Sequence, residues 1–294
     1  MDYSGVYPPI VVPFTESGQV NIDGFTANLK KWMDQGLSGV IFPGSNSEFP
    51  FLSLEEKIQL WEICVEIVKG ADRKLIAGTG CESTVDTIWL TNLAADLGAD
   101  AALIIPPYFY KPEMKHNVLV EHYTRVADNA KIPVLAYNVP AFSGIDFQAD
   151  TIIKLAEHPN IIGMKDSSSN VLKASMILAE RPEFIVFCGT GGSLLPFLCL
   201  GATGGIMALA NFAGEPLLEL YNAFHRKDLE GAKQLQHRLV GINNAVTARF
   251  GVSGLKYAMN KSGFIGGYPR RPLLPVDEIA AREIDKQLIN AGLL

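Results

Sequence analysis

Short apolar runs recur eight times along this chain, and between them lie longer stretches with apolar residues at helical spacing. The runs occupy residues 10–14, 39–42, 74–78, 101–105, 133–137, 161–165, 184–188 and 203–208. Runs of this length without polar alternation describe strands buried on both faces. The segments between them describe amphipathic helices, with Phe25, Leu29, Trp32 and Met33 on one face of the first. Ser53-Leu54-Glu55-Glu56 reads as a capping box opening the second, with the glutamate reaching back to the Ser53 amide. Ser83-Thr84-Val85-Asp86 is a weaker start for the third.

Eight strand-then-helix units over roughly the first 225 residues form the pattern of a closed α/β barrel, the (β/α)8 TIM architecture. The competing doubly wound open sheet carries a glycine fingerprint after its first strand, whereas here Thr15-Glu16-Ser17-Gly18 follows. Beyond residue 225 the strand pattern stops. Helical patterns at 229–250, 253–260 and 276–290 follow, with a Gly- and Pro-rich linker at 263–275. The expectation is a barrel over 1–225 and a C-terminal helical appendix over 226–294 packed on it, one domain overall. With 294 residues, 48% of them hydrophobic, the chain has enough apolar surface for one large core.

Several function classes lose ground on composition. The net charge is −6 and no block of five like charges occurs, so the electrostatic footprint of a nucleic-acid binder is missing. The first nine residues hold no basic region and no stretch reaches 18 apolar residues, so neither secretion nor membrane insertion is indicated and a cytoplasmic protein is expected. Cys64, Cys81, Cys188 and Cys199 form no C-x-x-C pair and sit in apolar contexts, which describes buried free thiols in a reducing compartment. His116, His122, His158, His225 and His237 show no metal-binding spacing, and no metal or organic cofactor is expected.

Active sites of such barrels lie at the C-terminal ends of the strands. Ile161-Ile162-Gly163-Met164-Lys165 is an apolar run that finishes in a cation. A buried ammonium without a partner is costly, and a neutral amine at a strand end is the nucleophile that condenses with a ketone. Taken alone, the residue reads first as a lysine that merely ends a strand and reaches solvent. The preceding strand ends in Tyr137-Asn138, whose phenol suits proton shuttling or simply one buried hydrogen bond. Together the two suggest carbon–carbon bond chemistry on a 2-oxo acid.

Other strand ends are less specific. Pro43-Gly44-Ser45-Asn46-Ser47-Glu48-Phe49 describes a nest for a carboxylate or an ordinary turn, with Glu48 as an acceptor for loop amides. The stiff aromatic stretch 106–112 lines a pocket, meets another subunit or covers the barrel end. After Lys165, Ser167 is a candidate for substrate and Ser168 or Ser169 for the cap of the next helix. Gly189-Thr190-Gly191-Gly192-Ser193 resembles the phosphate loops of barrels, and Gly204-Gly205-Ile206 permits close approach of backbone to a ligand.

Taken together, Tyr137-Asn138-Val139-Pro140, Gly163-Met164-Lys165-Asp166 and Gly44-Ser45-Asn46-Ser47-Glu48 resemble the lysine-dependent pyruvate aldolases of the dihydrodipicolinate synthase/N-acetylneuraminate lyase family. The resemblance spans about Pro8 to Pro275, and the stretches 44–52 and 158–167 are most similar to 4-hydroxy-2-oxoglutarate aldolases. It implies Lys165 as Schiff-base nucleophile and Tyr137 as proton relay. Ser45 and Asn46 would hold the pyruvate carboxylate, Ser167 the distal part of the substrate, and the backbone of Gly189 and Ile206 would line the pocket. The implied reaction cleaves a 4-hydroxy-2-oxo acid to pyruvate and an aldehyde, glyoxylate if the substrate is 4-hydroxy-2-oxoglutarate. Alternatives are a 2-keto-3-deoxy sugar acid aldolase or dehydratase, the dihydrodipicolinate synthase reaction, and a non-catalytic 2-oxo acid binder. A homo-oligomer, dimer or tetramer, is implied, with contacts through residues 108–110. Three departures stand out. Phe142 replaces the synthases' carboxylate-binding arginine, Phe109 replaces a tyrosine offered across the dimer, and Ser47 replaces a glycine, which puts the loop geometry in question.

Overall fold

The computed structural model describes residues 2–294. Eight strands, β1 (Gly5–Tyr7), β2 (Gly39–Ile41), β3 (Lys74–Gly78), β4 (Ala101–Ile104), β5 (Val134–Asn138), β6 (Ile161–Asp166), β7 (Ile185–Cys188) and β8 (Gly204–Ile206), form one sheet. All named pairings are parallel and each strand lies beside its sequence neighbour, with β8 returning to β1. The remaining seam, between β1 and β2, is joined by Pro9 opposite Ile41 and by the Ile10 amide donating to the Ile41 carbonyl at 3.0 Å. The sheet is therefore a closed (β/α)8 barrel, in which the described strands leave no edge to pair with another chain.

The helices are α1 (Ile22–Asp34), α2 (Leu54–Gly70), α3 (Thr84–Leu97), α4 (His116–Asn129), the short α5 (Pro140–Ser143), α6 (Ala149–Leu155), α7 (Val171–Glu180), α8 (Leu194–Cys199), α9 (Gly214–His225), α10 (Leu229–Asn244), α11 (Gly251–Lys261) and α12 (Glu278–Asn290). Ser53 and Glu56 satisfy each other's amides as the capping box of α2, and Ser83 accepts from the Asp86 amide at the start of α3. The cap of α7 departs from expectation. Asn170, not Ser168 or Ser169, accepts the Lys173 amide, while Ser169 takes a left-handed conformation with φ of 59° that turns the chain into the helix.

Alternating residues of the strands divide the core in two. Tyr7, Ile41, Ile76, Leu103, Leu135, Phe187 and Ile206 fill the barrel, and a larger outer layer packs the sheet against the helices. The apolar run 10–14 belongs to this core but is not the first strand. Pro8, Pro9 and Pro13 around it remove donors that a parallel ladder needs, so β1 forms earlier, at Gly5–Tyr7. The expected helix 229–250 is likewise divided. Helix α10 ends at Asn244, a π-turn covers Ala245–Arg249, and Gly251, at φ of 53°, opens α11. All four cysteines are free, but only Cys64 and Cys188 are buried; Cys81 is half-buried and Cys199 is exposed at the end of α8. No helix among the described residues is long and apolar enough to cross a membrane.

Candidate functional site

Parallel register brings the two principal candidates together. Tyr137 on β5 lies opposite Lys165 on β6, and Lys165 lies opposite Phe187 on β7. Partners in register share a face of the sheet, so the separation of 28 positions from Tyr137 to Lys165 amounts to one complete strand-to-strand step of the barrel. Lys165 is only 4% exposed, and its Nζ stands 4.2 Å from the centre of the Tyr137 ring. Among the described residues its amine has no carboxylate or hydrogen-bonding partner. The Tyr137 hydroxyl is 3.5 Å from Ser45 Oγ, on the loop after β2.

This group forms the floor of a cavity of about 830 Å³ at the C-terminal end of the barrel. Ser45, Asn46, Tyr137, Lys165, Ser167 and Gly189 all line it. A Cβ at residue 189 would stand 2.1 Å from Ser167 Oγ, so the space a side chain needs is already filled and a glycine belongs there. Ile206 is not among the lining residues. It lies in the barrel interior beneath the site, and Ala208 reaches the wall instead. The outer wall is built by the C-terminal helices, with Asn243 and Asn244 from α10 and Thr247 from the π-turn, none of which the strand-end reading could identify.

The loop bearing Ser45 and Asn46 is fastened from two directions. Ser47 donates to the Ile10 carbonyl and accepts the Gly44 amide at 3.0 Å. It sits in a right-handed 3-10 turn, so a serine fits in place of glycine; the left-handed position, φ of 56°, falls on Glu48. Glu48 is buried, pairs with Lys256 Nζ at 2.5 Å and accepts the Arg270 amide at 2.8 Å. Lys256 also donates to the carbonyls of Val12 and Tyr268, while Arg270 forks onto Glu56 and reaches the carbonyls of Gly18 and Phe51. Burial pushes the Lys256 amine down to about 8, against the opposing attraction of Glu48. The bond to Arg270 holds the Glu56 carboxyl below its ordinary value.

Behind the strands, Asn138 and Asp166 stand opposite each other and face outward. Asn138 Nδ2 donates to Asp146 and to Asp166, each at 2.8 Å, and Asp146 pairs with the buried Lys173 of α7. This layer holds the ends of β5 and β6 in register without entering the cavity. Cys188, at the end of β7, is no rival nucleophile, because burial pushes its thiol up to about 12. His122 hydrogen-bonds Thr84 and His116 hydrogen-bonds Thr151, so the two histidines of α4 serve different neighbours. Tyr108, Phe109 and Tyr110 do not line the cavity. Glu82 accepts the amides of Tyr108 and Phe109, and the Phe109 and Tyr110 rings lie exposed, edge to face at 5.0 Å.

The architecture and the sequence both have well-defined relatives. A profile of the Dihydrodipicolinate synthetase family matches residues 2–291. A 4-hydroxy-tetrahydrodipicolinate synthase of Methanoculleus marisnigri is 34% identical over 294 residues, covering 99% of this chain and all of the relative. The dihydrodipicolinate synthase of Acinetobacter baumannii, solved with pyruvate, superposes with a TM-score of 0.93 at 30% identity and covers 99% of both chains. That of Thermotoga maritima gives 0.94 at 26% identity over the full length of both. With its barrel, its strand-end lysine and this kinship over nearly every residue, the chain belongs to the dihydrodipicolinate synthetase family of lysine-dependent, pyruvate-using lyases.

Proposed function

We propose that the protein is a Schiff-base aldolase that cleaves a 4-hydroxy-2-oxo acid into pyruvate and an aldehyde, with Lys165 as the nucleophile. The observation that carries this reading is the buried, unpartnered Lys165 amine over the Tyr137 ring, with the phenol against Ser45 at the floor of the cavity. Lys165 Nζ attacks C2 of the 2-oxo acid to give a carbinolamine. Tyr137 donates its proton to the departing hydroxyl, water leaves, and an iminium ion remains. The cation draws electrons from the C3–C4 bond. As that bond breaks, the C4 hydroxyl returns a proton to the Tyr137 phenolate and the aldehyde departs. The enamine left on Lys165 is protonated at C3, and water hydrolyses the iminium to pyruvate and the free amine. Ser45, Asn46 and the loop amides hold the substrate carboxylate, and the Glu48 anchors keep that loop in place for each step. With 4-hydroxy-2-oxoglutarate the aldehyde is glyoxylate; with a 2-keto-3-deoxy sugar acid it is a hydroxyaldehyde.

Borohydride reduction in the presence of pyruvate, followed by peptide mass mapping, tests the reading. A reduced pyruvyl adduct on Lys165 is expected, and none on Lys165→Met. A folded wild-type protein that yields no adduct overturns it and favours a non-catalytic 2-oxo acid binder. The second reading, the reaction for which the relatives are named, adds the same enamine to an aldehyde that bears its own carboxylate. Against it stands Phe142, 63% exposed on the cavity wall at the position of the synthases' arginine, which supplies no charge for that carboxylate.

A further inference from the structure

We propose that a small chamber beside Lys165 receives one extra carbon on C3 of the 2-oxo acid, so that the protein condenses with 2-oxobutanoate as well as with pyruvate and turns longer chains away. The proposal deepens the aldolase reading of Lys165 and rests on it.

The floor residues of the large cavity face a second space. Lys165, Tyr137, Ser45 and Pro9 line both the cavity of about 830 Å³ and a chamber of about 20 Å³. The amine therefore stands between the two. The large cavity extends over the ends of β5 to β8 toward the C-terminal helices, and the chamber lies on the side of β2, β3 and β4. A volume of about 20 Å³ is room for one water-sized group or a single methyl, not for a chain. Its walls are apolar. Ile41, Phe49, Leu103 and Ile105 supply side chains, and Gly78 and Gly80 supply bare main chain. Among the described residues that line it, Lys165 is the one charged side chain, and Ser45 and Tyr137 carry the only hydroxyls.

The chemistry of a 2-oxo acid decides which part enters. Its carboxylate is an anion, and burying it against these walls would strip its water without donors to replace it. Asn46, which with Ser45 holds the carboxylate in the proposed reaction, lines the large cavity and not the chamber. C2 is bonded to Lys165 Nζ, and the aldehyde unit that C3 gains or loses needs the space of the large cavity. What remains on C3 are two hydrogens, and one carbon in place of one of them is the largest group the chamber admits. Burying a methylene against apolar side chains favours binding by about fourfold. The limit is sharp because two walls are main chain. A Cβ at Gly78 would stand 1.9 Å from the Pro43 carbonyl oxygen, and one at Gly80 2.7 Å from the Ile105 amide nitrogen, so backbone already packs on backbone there. Leu103 and Ile105, 3% and 7% exposed, close the rest. A second added carbon must displace them, and one methylene too many in such a pocket lowers affinity by about 10- to 200-fold.

The test is borohydride trapping on Lys165 over a concentration series of pyruvate, 2-oxobutanoate and 2-oxopentanoate, read by mass. With each acid the amine bonds to C2, the carbonyl oxygen leaves as water and borohydride delivers hydride to the iminium carbon, so only the chain length differs. The half-saturating concentration of 2-oxobutanoate is expected within about fourfold of that of pyruvate, and that of 2-oxopentanoate at least about tenfold above both. In Leu103→Ala the 2-oxopentanoate value should fall at least about tenfold, while the pyruvate value stays within about twofold of wild type. Equal saturation of the wild type by 2-oxobutanoate and 2-oxopentanoate places the added carbons in the large cavity and overturns the proposal, with the aldolase reading left standing. Trapping by pyruvate alone overturns it too. So does a folded Leu103→Ala that traps 2-oxopentanoate no better than wild type, and the wild-type series decides the matter if that variant does not fold. Failure of trapping with pyruvate in the wild type removes the aldolase reading and the chamber's role with it.

Discussion

Two lysines of this barrel, Lys165 and Lys256, are buried to nearly the same degree, each with its amine over an aromatic ring, and their surroundings are opposite. Lys165 Nζ is 4.2 Å from the Tyr137 ring and Lys256 Nζ 4.4 Å from the Phe14 ring; they are 4% and 1% exposed. Lys256 spends all three of its donors, on Glu48 and on the carbonyls of Val12 and Tyr268. Lys165 has none of these partners and faces a cavity. Burial alone therefore does not decide whether a lysine is saturated with partners. An amine becomes available for chemistry where the protein declines to saturate it, and becomes a strut where its hydrogen bonds are complete.

The largest effect that tests this contrast is Lys165→Met. Turnover is expected to fall by roughly a thousandfold or more. The fold is expected to be unchanged or stabilised by about 0.5–2 kcal/mol, because an unpaired buried amine leaves the core. Denaturant titration beside an aldol-cleavage assay reads both, and a marked loss of stability would assign Lys165 a structural role. Tyr137→Phe makes the first lysine's ring resemble the second's. The pyruvate adduct should still form under borohydride, but steady-state turnover should drop by about 10²–10⁴-fold, the range of a lost acid–base group. Unchanged turnover would remove Tyr137 from the proton path.

Lys256→Met should do the reverse of Lys165→Met. It strands the Glu48 carboxylate in a dry pocket and is expected to cost about 3–5 kcal/mol of stability, with most of that recovered when Glu48→Gln is added. Denaturant midpoints of the two single variants and the double variant provide the coupling. The smallest effect is one of pH. Burial lowers the Lys256 amine from 10.5 to about 8. Between those values the folded chain has released a proton that the unfolded chain still holds, so rising pH favours folding and the gain is lost as pH falls through 8. Relative to Lys256→Met, the wild type should gain up to about 3 kcal/mol from pH 8 to 10.5, and parallel stability curves would contradict it.

The same contrast shows what could be read from the residues alone. Lys165 announces itself locally, because a cation at the end of an apolar strand is an anomaly within five residues, and Tyr137 lies one strand step away. The barrel was legible for a related reason: strands buried on both faces leave unbroken apolar runs. Residues 10–14 misled for that reason too, being fully buried without being a strand. Ser45 and Asn46 came with a turn whose composition is ordinary. Lys256 and Arg270 were illegible, because each looks like a surface cation until Glu48, more than two hundred residues earlier, is brought beside it. Asn243 escaped notice likewise, since an amide on a C-terminal helix gains meaning only once the helix leans over the barrel mouth.

The tie between Glu48 and Arg270 also sets an order of events during synthesis. All eight strands have been made by residue 206, and the ring of hydrogen bonds from β1 to β8 can then close. At that moment the loop after β2 is still waiting for Lys256 and Arg270, which follow β8 in the sequence. A chain that stops short of residue 256 thus lacks both of these partners of Glu48. Residues 256 and 270 thus finish a pocket whose strands were all made before them.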